Sequence, residues 1–382
     1  MDKLHSFKSV KPVKHGLLGR ASGRVSGRAS GRVLGRVLDR VLGKAIVSPL
    51  TCLGMALSLA CGFSFCLKDH SALPAAAAKA QKSKDTAKVD PYSLDLMPVS
   101  IAADGMMRDF AVHLPPNLKQ QAQAGIQPQS VPLVLVFHDG FKLAQNMDEV
   151  TGFNAIADRE NFAVVYPMGI NGHWNDGRNI DGYAKFDDVS FVKHIIEYMQ
   201  RRYHIDREHV YACGIGNGGF FSQYLALMLP GHFSAIASVA ATLPENIYHS
   251  RQSIKPVSVV YILGMNDPLV PFRGGPIHFE SYRDRGMVVP APEAVQFWVK
   301  GNRGQSTPNS QDLPDTDPSD GCRVKAAVFG SGLKGSEVMV YGIEGGGHTW
   351  PGGINRYSPK TVGATCRDIS ASEAIWDFFK RH

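Results

Sequence analysis

Metal-binding signatures are missing from this chain of 382 residues: it has no C-x-x-C and no H-E-x-x-H, so no metal site is expected. Cysteine is scarce. Three of its six cysteines (Cys52, Cys61 and Cys66) fall in an early apolar run, which leaves Cys213, Cys322 and Cys366 for the rest of the chain. That odd number excludes a dense disulfide framework; a Cys322–Cys366 bridge is conceivable, but sequence cannot assign it. Acidic residues are nearly absent from residues 1–44, where eleven Lys and Arg face only Asp2 and Asp39. The net charge of +7 therefore sits at one end, and the near-neutral remainder gives no reason to expect a nucleic-acid partner.

What is there divides into four stretches. Residues 1–44 repeat a four-residue unit (GRAS, GRVS, GRAS, GRVL, GRVL), a flexible basic tract in which glycine disfavours helix. Residues 45–67 form an uncharged apolar run long enough to cross a bilayer. Following arginines, it reads as a signal peptide or membrane anchor, so export is expected, with membrane contact confined to residues 1–67. Residues 68–95 read as a linker. Residues 96–382 read as one folded domain, and 44% hydrophobic content supplies its core.

Within that domain apolar strands alternate with amphipathic helices. MMRDFAVHL (106–114), VPLVLVF (131–137), FAVVYP (162–167) and residues 209–213 read as strands, as do SAIASVA (234–240) and VSVVYIL (257–263). Further strands are expected near 324–329 and 337–342, with helices near 292–300 and at the end. After an N-cap at Asp187 or Asp188, residues Val189, Val192, Ile196, Met199 and Tyr203 make one helical stripe. This alternation predicts an α/β fold with a mainly parallel sheet covered on both faces. The segment 304–321, rich in Pro, Asp and Ser, reads as a mobile surface insertion.

Four loops carry the chemistry. VYACGIGNGGFF (210–221) reads as strand, glycine turn and helix, the context of a G-x-S-x-G nucleophile elbow, but Gly216 stands where serine is expected. Strand VSVVYIL leads to Asp267 on a loop, and a glycine-rich loop, GGGHTWPGG (345–353), carries His348. Nucleophile, acid, histidine is the chain order of such hydrolases. FHDGF (137–141) follows a buried strand, so the Asp139–Gly140 turn is expected to supply one oxyanion amide and Asn217 the other. His138 reads as a loop-packing residue, and Trp174 and Trp350 as pocket-lining aromatics, with a core position the alternative for one of the two.

These segments, with TGFNAIADRENFAVVYPMG, DDVSFVKHIIEYM, NGGFFSQYLAL and DISASEAIWDFF, resemble the polyhydroxybutyrate depolymerase and feruloyl-esterase group of secreted α/β-hydrolases. The resemblance implies an α/β-hydrolase fold, an ester or polyester ligand, no cofactor, and Asp267 and His348 as triad acid and base. The chain departs from it twice, with Gly216 at the nucleophile and Asp139 where the family usually has glycine after histidine. Without a hydroxyl no acyl-enzyme forms; losing such a serine costs roughly a million-fold in turnover. A carboxylate at 139 also repels a developing oxyanion.

Three functional readings follow. The first is an esterase-family protein disabled at its serine, a pseudoenzyme that binds ester ligands. The second is a working esterase that uses another nucleophile, with Cys213 and Ser222 nearest in sequence, or one altered only in this copy of the sequence. The third takes Gly214, Gly216 and Gly219 as a G-x-G-x-x-G dinucleotide fingerprint, although the acidic residue expected after the next strand is missing.

Overall fold

The structure is a computed structural model that describes residues 96–126, 130–140, 146–250, 254–278 and 285–382. The basic tract, the apolar run and the linker lie outside the described residues. No helix among the described residues is long and apolar enough to cross a membrane.

In chain order, strands β1 (Met97–Ala103) and β2 (Met106–His113) form a hairpin, followed by helix α1 (Pro116–Gln123) and strand β3 (Val131–Phe137). Helices α2 (Met147–Thr151) and α3 (Phe153–Glu160) lead to β4 (Ala163–Pro167), α4 (Asp188–Tyr203), β5 (Ile205–Ile215) and α5 (Asn217–Met228). Next come β6 (Ala235–Val239), β7 (Leu243–Pro244), α6 (Glu245–Tyr248), β8 (Ser258–Gly264), β9 (Gly275–Pro276), β10 (Met287–Val289) and α7 (Ala291–Gly301). The chain closes with β11 (Asn309–Asp312), β12 (Arg323–Phe329), β13 (Val338–Glu344), α8 (Pro359–Val362) and α9 (Ala371–Phe379).

Ten strands make one sheet in the order β1-β2-β4-β3-β5-β6-β8-β13-β12-β11, and β7-β10-β9 form a small second sheet. The centre, from β4 through β13, is parallel, while the edges are antiparallel. Burial on both faces explains why the central strands are continuous apolar runs. In β3, Leu133, Leu135 and Phe137 point into one core with residues of α4, α5 and α7, while Val134 and Val136 face α3 and α9. This is the mainly parallel α/β architecture the alternation predicts, in line with the α/β-hydrolase fold the resemblance implies.

Helix α4 divides the work of its two first acids. Asp187 caps it, accepting from Ser190 N at 2.9 Å. Asp188 instead meets Arg108 at 2.6 Å in a buried ion pair that ties the helix to β2. Val192, Ile196, Met199 and Tyr203 are buried as the stripe requires, and Phe191 and Ile195 widen it.

The segment 304–321 departs from expectation. It is no loose insertion: Asn309–Asp312 add β11 to the edge of β12, and the backbone amides of Thr316 and Asp317 donate to Asp368 at 2.7 and 3.1 Å. Strand formation there comes from the unpaired backbone groups of β12, since all four β11 side chains are exposed.

Candidate active site

Strand β5 ends in a turn whose tip, Gly216, has φ 53° and ψ −116°, a left-handed conformation that glycine adopts without penalty. The flanking glycines have a packing reason. A Cβ on Gly214 would stand 2.5 Å from the Gly218 carbonyl carbon, and one on Gly218 would overlap Phe137 O. Small residues thus let α5 start directly against β3 and β5. The elbow is present and its tip carries no side chain.

The space at that tip is nevertheless filled. A Cβ built on Gly216 would overlap Asp139 Oδ1, 2.5 Å from Asp139 Cγ and 2.7 Å from Oδ2. The Asp139 carboxylate, arriving from the loop after β3, occupies the volume of an elbow side chain. Its Oδ1 accepts from Gly140 N at 2.6 Å and Asn217 N at 2.9 Å, and its Oδ2 lies 2.9 Å from His348 Nε2. The two amides expected to form an oxyanion hole, from Gly140 and Asn217, therefore converge on one point and already hold an anion. The expectation is corrected in one respect: Asp139 contributes its side chain as the guest of that hole, and no amide to it. The carboxylate at an α5 N-terminal amide is also the arrangement in which helix N-termini stabilise anions.

His348 is held between two carboxylates. Its Nδ1 lies 2.8 Å from Asp267 Oδ2. The other Asp267 oxygen accepts from Leu269 N at 2.8 Å and Val270 N at 2.9 Å. Asp267 is thus a turn former with one oxygen and an orienter of His348 with the other. The histidine loop is pressed onto the end of β8, where a Cβ on Gly264 would collide with the carbonyls of Gly346 and Gly347, and His348 N donates to Val362 O at 2.5 Å.

Electrostatics follow from this geometry. Burial works against charge on the His348 ring, and the carboxylates of Asp267 and Asp139 outweigh it, raising its pKa to about 10. Burial likewise opposes ionisation of Asp139. His348 and the Asn217 and Gly140 amides overcome it and hold the carboxyl below its ordinary range. These shifts favour a protonated His348 beside an ionised Asp139 at neutral pH. A histidine in that state cannot take a proton, so it is no general base until Asp139 loses its charge.

Two clefts share Asp139 and His348. The first, enclosing about 400 Å³ with its open mouth, has walls that include Phe220, Leu269, Val270, Arg178 and Arg285. The second, about 360 Å³, is lined by Met147, Val150, Tyr357 and Trp350 among others. Trp350 thus reaches a cleft, although it is only 3% exposed and donates from Nε1 to Ser372 at 3.0 Å.

Trp174 corrects the sequence reading. It is fully buried, stacked on Phe221 at 5.1 Å, and donates from Nε1 to His138 O at 3.1 Å. It props up the loop that delivers Asp139, and lines neither cleft. His138 packs as expected. Its Nε2 accepts from Gly169 N at 2.9 Å and its Nδ1–H donates to Asp139 O at 2.6 Å, while burial lowers its pKa.

Neither alternative nucleophile reaches the tip. Cys213 is fully buried in β5, which pushes its thiol pKa well up, and Ser222 donates to Gly218 O inside α5. The dinucleotide reading meets the same obstacle: a chain carboxylate occupies the place where a helix N-terminus would meet a phosphate. Cys322 and Cys366 are free and buried, their sulfurs and an Asp320 oxygen lying within 4.8 Å of one another. The Asp320 carboxylate already accepts from the Cys322 and Arg367 amides.

Sequence reasoning missed the buried pair Asp176–Arg178, at 2.7 Å. Asn217 Nδ2 donates to Asp176, and Arg178 lies 4.5 Å over the Phe220 ring in the first cleft. The run of polar residues in WNDGRN, at 174–179, was the available signal.

The elbow turn, Asp267 and His348 each follow the carboxyl end of a strand in a mainly parallel sheet, and Asp139 joins them from the loop after β3. Residues 109–272 match the family described as Esterase PHB depolymerase. A Nocardia uniformis subsp. tsuyamanensis protein described as "Putative esterase NocK" is 29% identical over 285 residues, 73% of this chain and 80% of the relative. The bifunctional acetylxylan esterase/xylanase XynS20E of Neocallimastix patriciarum is 28% identical over 183 residues, 47% of this chain but only 24% of its own length. Among solved structures, an acetyl xylan esterase from Aspergillus awamori aligns with 75% of this chain and all of its own, with TM-score 0.48 and 12% identity.

Proposed function

We propose that this is an exported member of the carboxyl-esterase family that has given up serine acyl transfer while keeping a site for ester or carboxylic-acid ligands. The observation that carries the proposal is the overlap of the Asp139 carboxylate with the side-chain position of residue 216. The two departures from the family pattern are one exchange, because a serine at 216 and an aspartate at 139 cannot occupy that volume together. A chance alteration of residue 216 alone would not supply the complementary carboxylate, which argues against the altered-copy reading. Polyhydroxyalkanoate, feruloyl and acetyl esters remain the ligand classes suggested by the family. Export rests on the apolar run at 45–67 behind its basic tract, and residues 1–44, 45–67, 68–95 and 96–382 are proposed as tract, leader, linker and domain.

The test is hydrolysis of p-nitrophenyl butyrate by the full chain, Gly216→Ser, and Asp139→Gly/Gly216→Ser. The unaltered chain and the single variant are expected to be inert, and the double variant to gain a His348-dependent rate. Turnover by the unaltered chain that survives Asp139→Asn would refute the reading.

A further inference from the structure

A carboxylate at the elbow is a nucleophile in its own right, and its surroundings decide which electrophile suits it. Attack on an ester carbonyl creates an oxyanion on the substrate, yet the Gly140 and Asn217 amides are engaged by Asp139 Oδ1 itself. Each missing oxyanion donor costs roughly a hundred- to a thousand-fold. Displacement at a saturated carbon makes no such demand, because the negative charge departs on the leaving group.

Building on the absence of serine chemistry argued above, we propose that Asp139 is the nucleophile of a hydrolase that displaces an anionic leaving group, such as halide, from a saturated alkyl carbon. In the first step Asp139 Oδ2 forms a bond to the alkyl carbon as the carbon–halogen bond breaks, giving an alkyl ester of Asp139 and a halide ion. The apolar wall of Phe220, Leu269 and Val270 suits the alkyl chain, and Arg285 lines the same cleft beside Arg178, which is ion-paired with Asp176.

Hydrolysis of that ester is what the rest of the site is arranged to do. Esterification removes one of the two negative charges on which the His348 proton depends, so that proton passes to solvent and the ring becomes a base. His348 Nε2, 2.9 Å from Oδ2 in the resting state, then accepts a proton from a water molecule that attacks Asp139 Cγ. The resulting oxyanion forms on Oδ1, where the amides at 2.6 and 2.9 Å already converge. Collapse expels the alcohol, which takes a proton from His348; the hydroxyl proton left on Asp139 then passes to His348, restoring the carboxylate and the imidazolium. The balance is alkyl halide plus water to alcohol, halide and one proton.

The probe is 1-iodobutane with the full chain in water enriched in oxygen-18, read by peptide mass mapping. The expected result is oxygen-18 in the peptide containing Asp139, appearing only when the probe is present. In His348→Gln the same peptide should instead hold the mass of one butyl group, in near-stoichiometric amount, and Asp139→Asn/His348→Gln should lose it. Since His348→Gln could fail to fold, the labelling of the unaltered chain decides independently. An Asp139 peptide with neither label nor butyl group, or butyl found only on other residues, overturns the proposal. That failure is separable from failure of the esterase reading, which p-nitrophenyl butyrate turnover alone reports.

Discussion

The histidine side of the site and the elbow side follow different rules, although they meet at a single hydrogen bond. On the histidine side, Asp267 and His348, for which the resemblance implies the roles of acid and base, lie 2.8 Å apart and almost fully buried. On the elbow side, Gly216 has a positive-φ tip conformation, and the side chain that fills the space above it comes from residue 139. The proposed exchange keeps the turn and the acid–histidine pair while the atom at the centre changes origin. The second carboxylate favours the charged form of the His348 ring, at the expense of its capacity to accept a proton.

The largest effect is expected from reversing the exchange. Asp139→Gly/Gly216→Ser should raise p-nitrophenyl butyrate hydrolysis about a thousand-fold or more, within the roughly million-fold that a serine nucleophile is worth. Gly216→Ser alone should add nothing, because the new side chain and Asp139 contend for one volume. A comparable gain from the single variant would show that Asp139 leaves the tip freely.

Next in size is the charge row. His348→Ala leaves Asp139 and Asp267 buried without their shared cation, so at neutral pH it should destabilise the fold by about 3–5 kcal/mol. The midpoint of urea unfolding measures this, and a loss near zero would mean the row is solvated. The unaltered chain should show the same row in its pH dependence. His348 binds its proton more tightly folded than unfolded, so its contribution is complete below about pH 6.5 and is lost as pH rises through about 10. Urea midpoints between pH 6 and 10.5 should fall across that window, and less so in Asp139→Asn. The smallest effect belongs to the support under the loop. Trp174→Phe removes the bond to His138 O and leaves a small void, at about 1–2 kcal/mol.

The parts of the molecule that sequence reading reached are those whose cause is local. Central strands announce themselves as apolar runs, α4 by its stripe, and Asp267 and His348 by glycine context and chain order. Strand β11 could not be seen, because NSQD is exposed throughout and pairs only through its backbone. Trp174 looked like a pocket aromatic since an isolated loop tryptophan carries no sign of the Phe221 ring beneath it. Asp139 was the deepest gap. Its repulsion of an oxyanion follows from its charge alone, but its entry into the space above Gly216 joins residues 77 positions apart, and only the fold brings β3 and β5 side by side.

The protonation state of His348 tests the central claim most directly, because it reports the Asp139 contact without requiring a substrate. Imidazole nitrogen shifts followed by NMR should find His348 still charged at pH 8, titrating near 10, and markedly lower in Asp139→Asn. A His348 that titrates near 6.5 in both proteins would mean that Asp139 does not occupy the elbow tip.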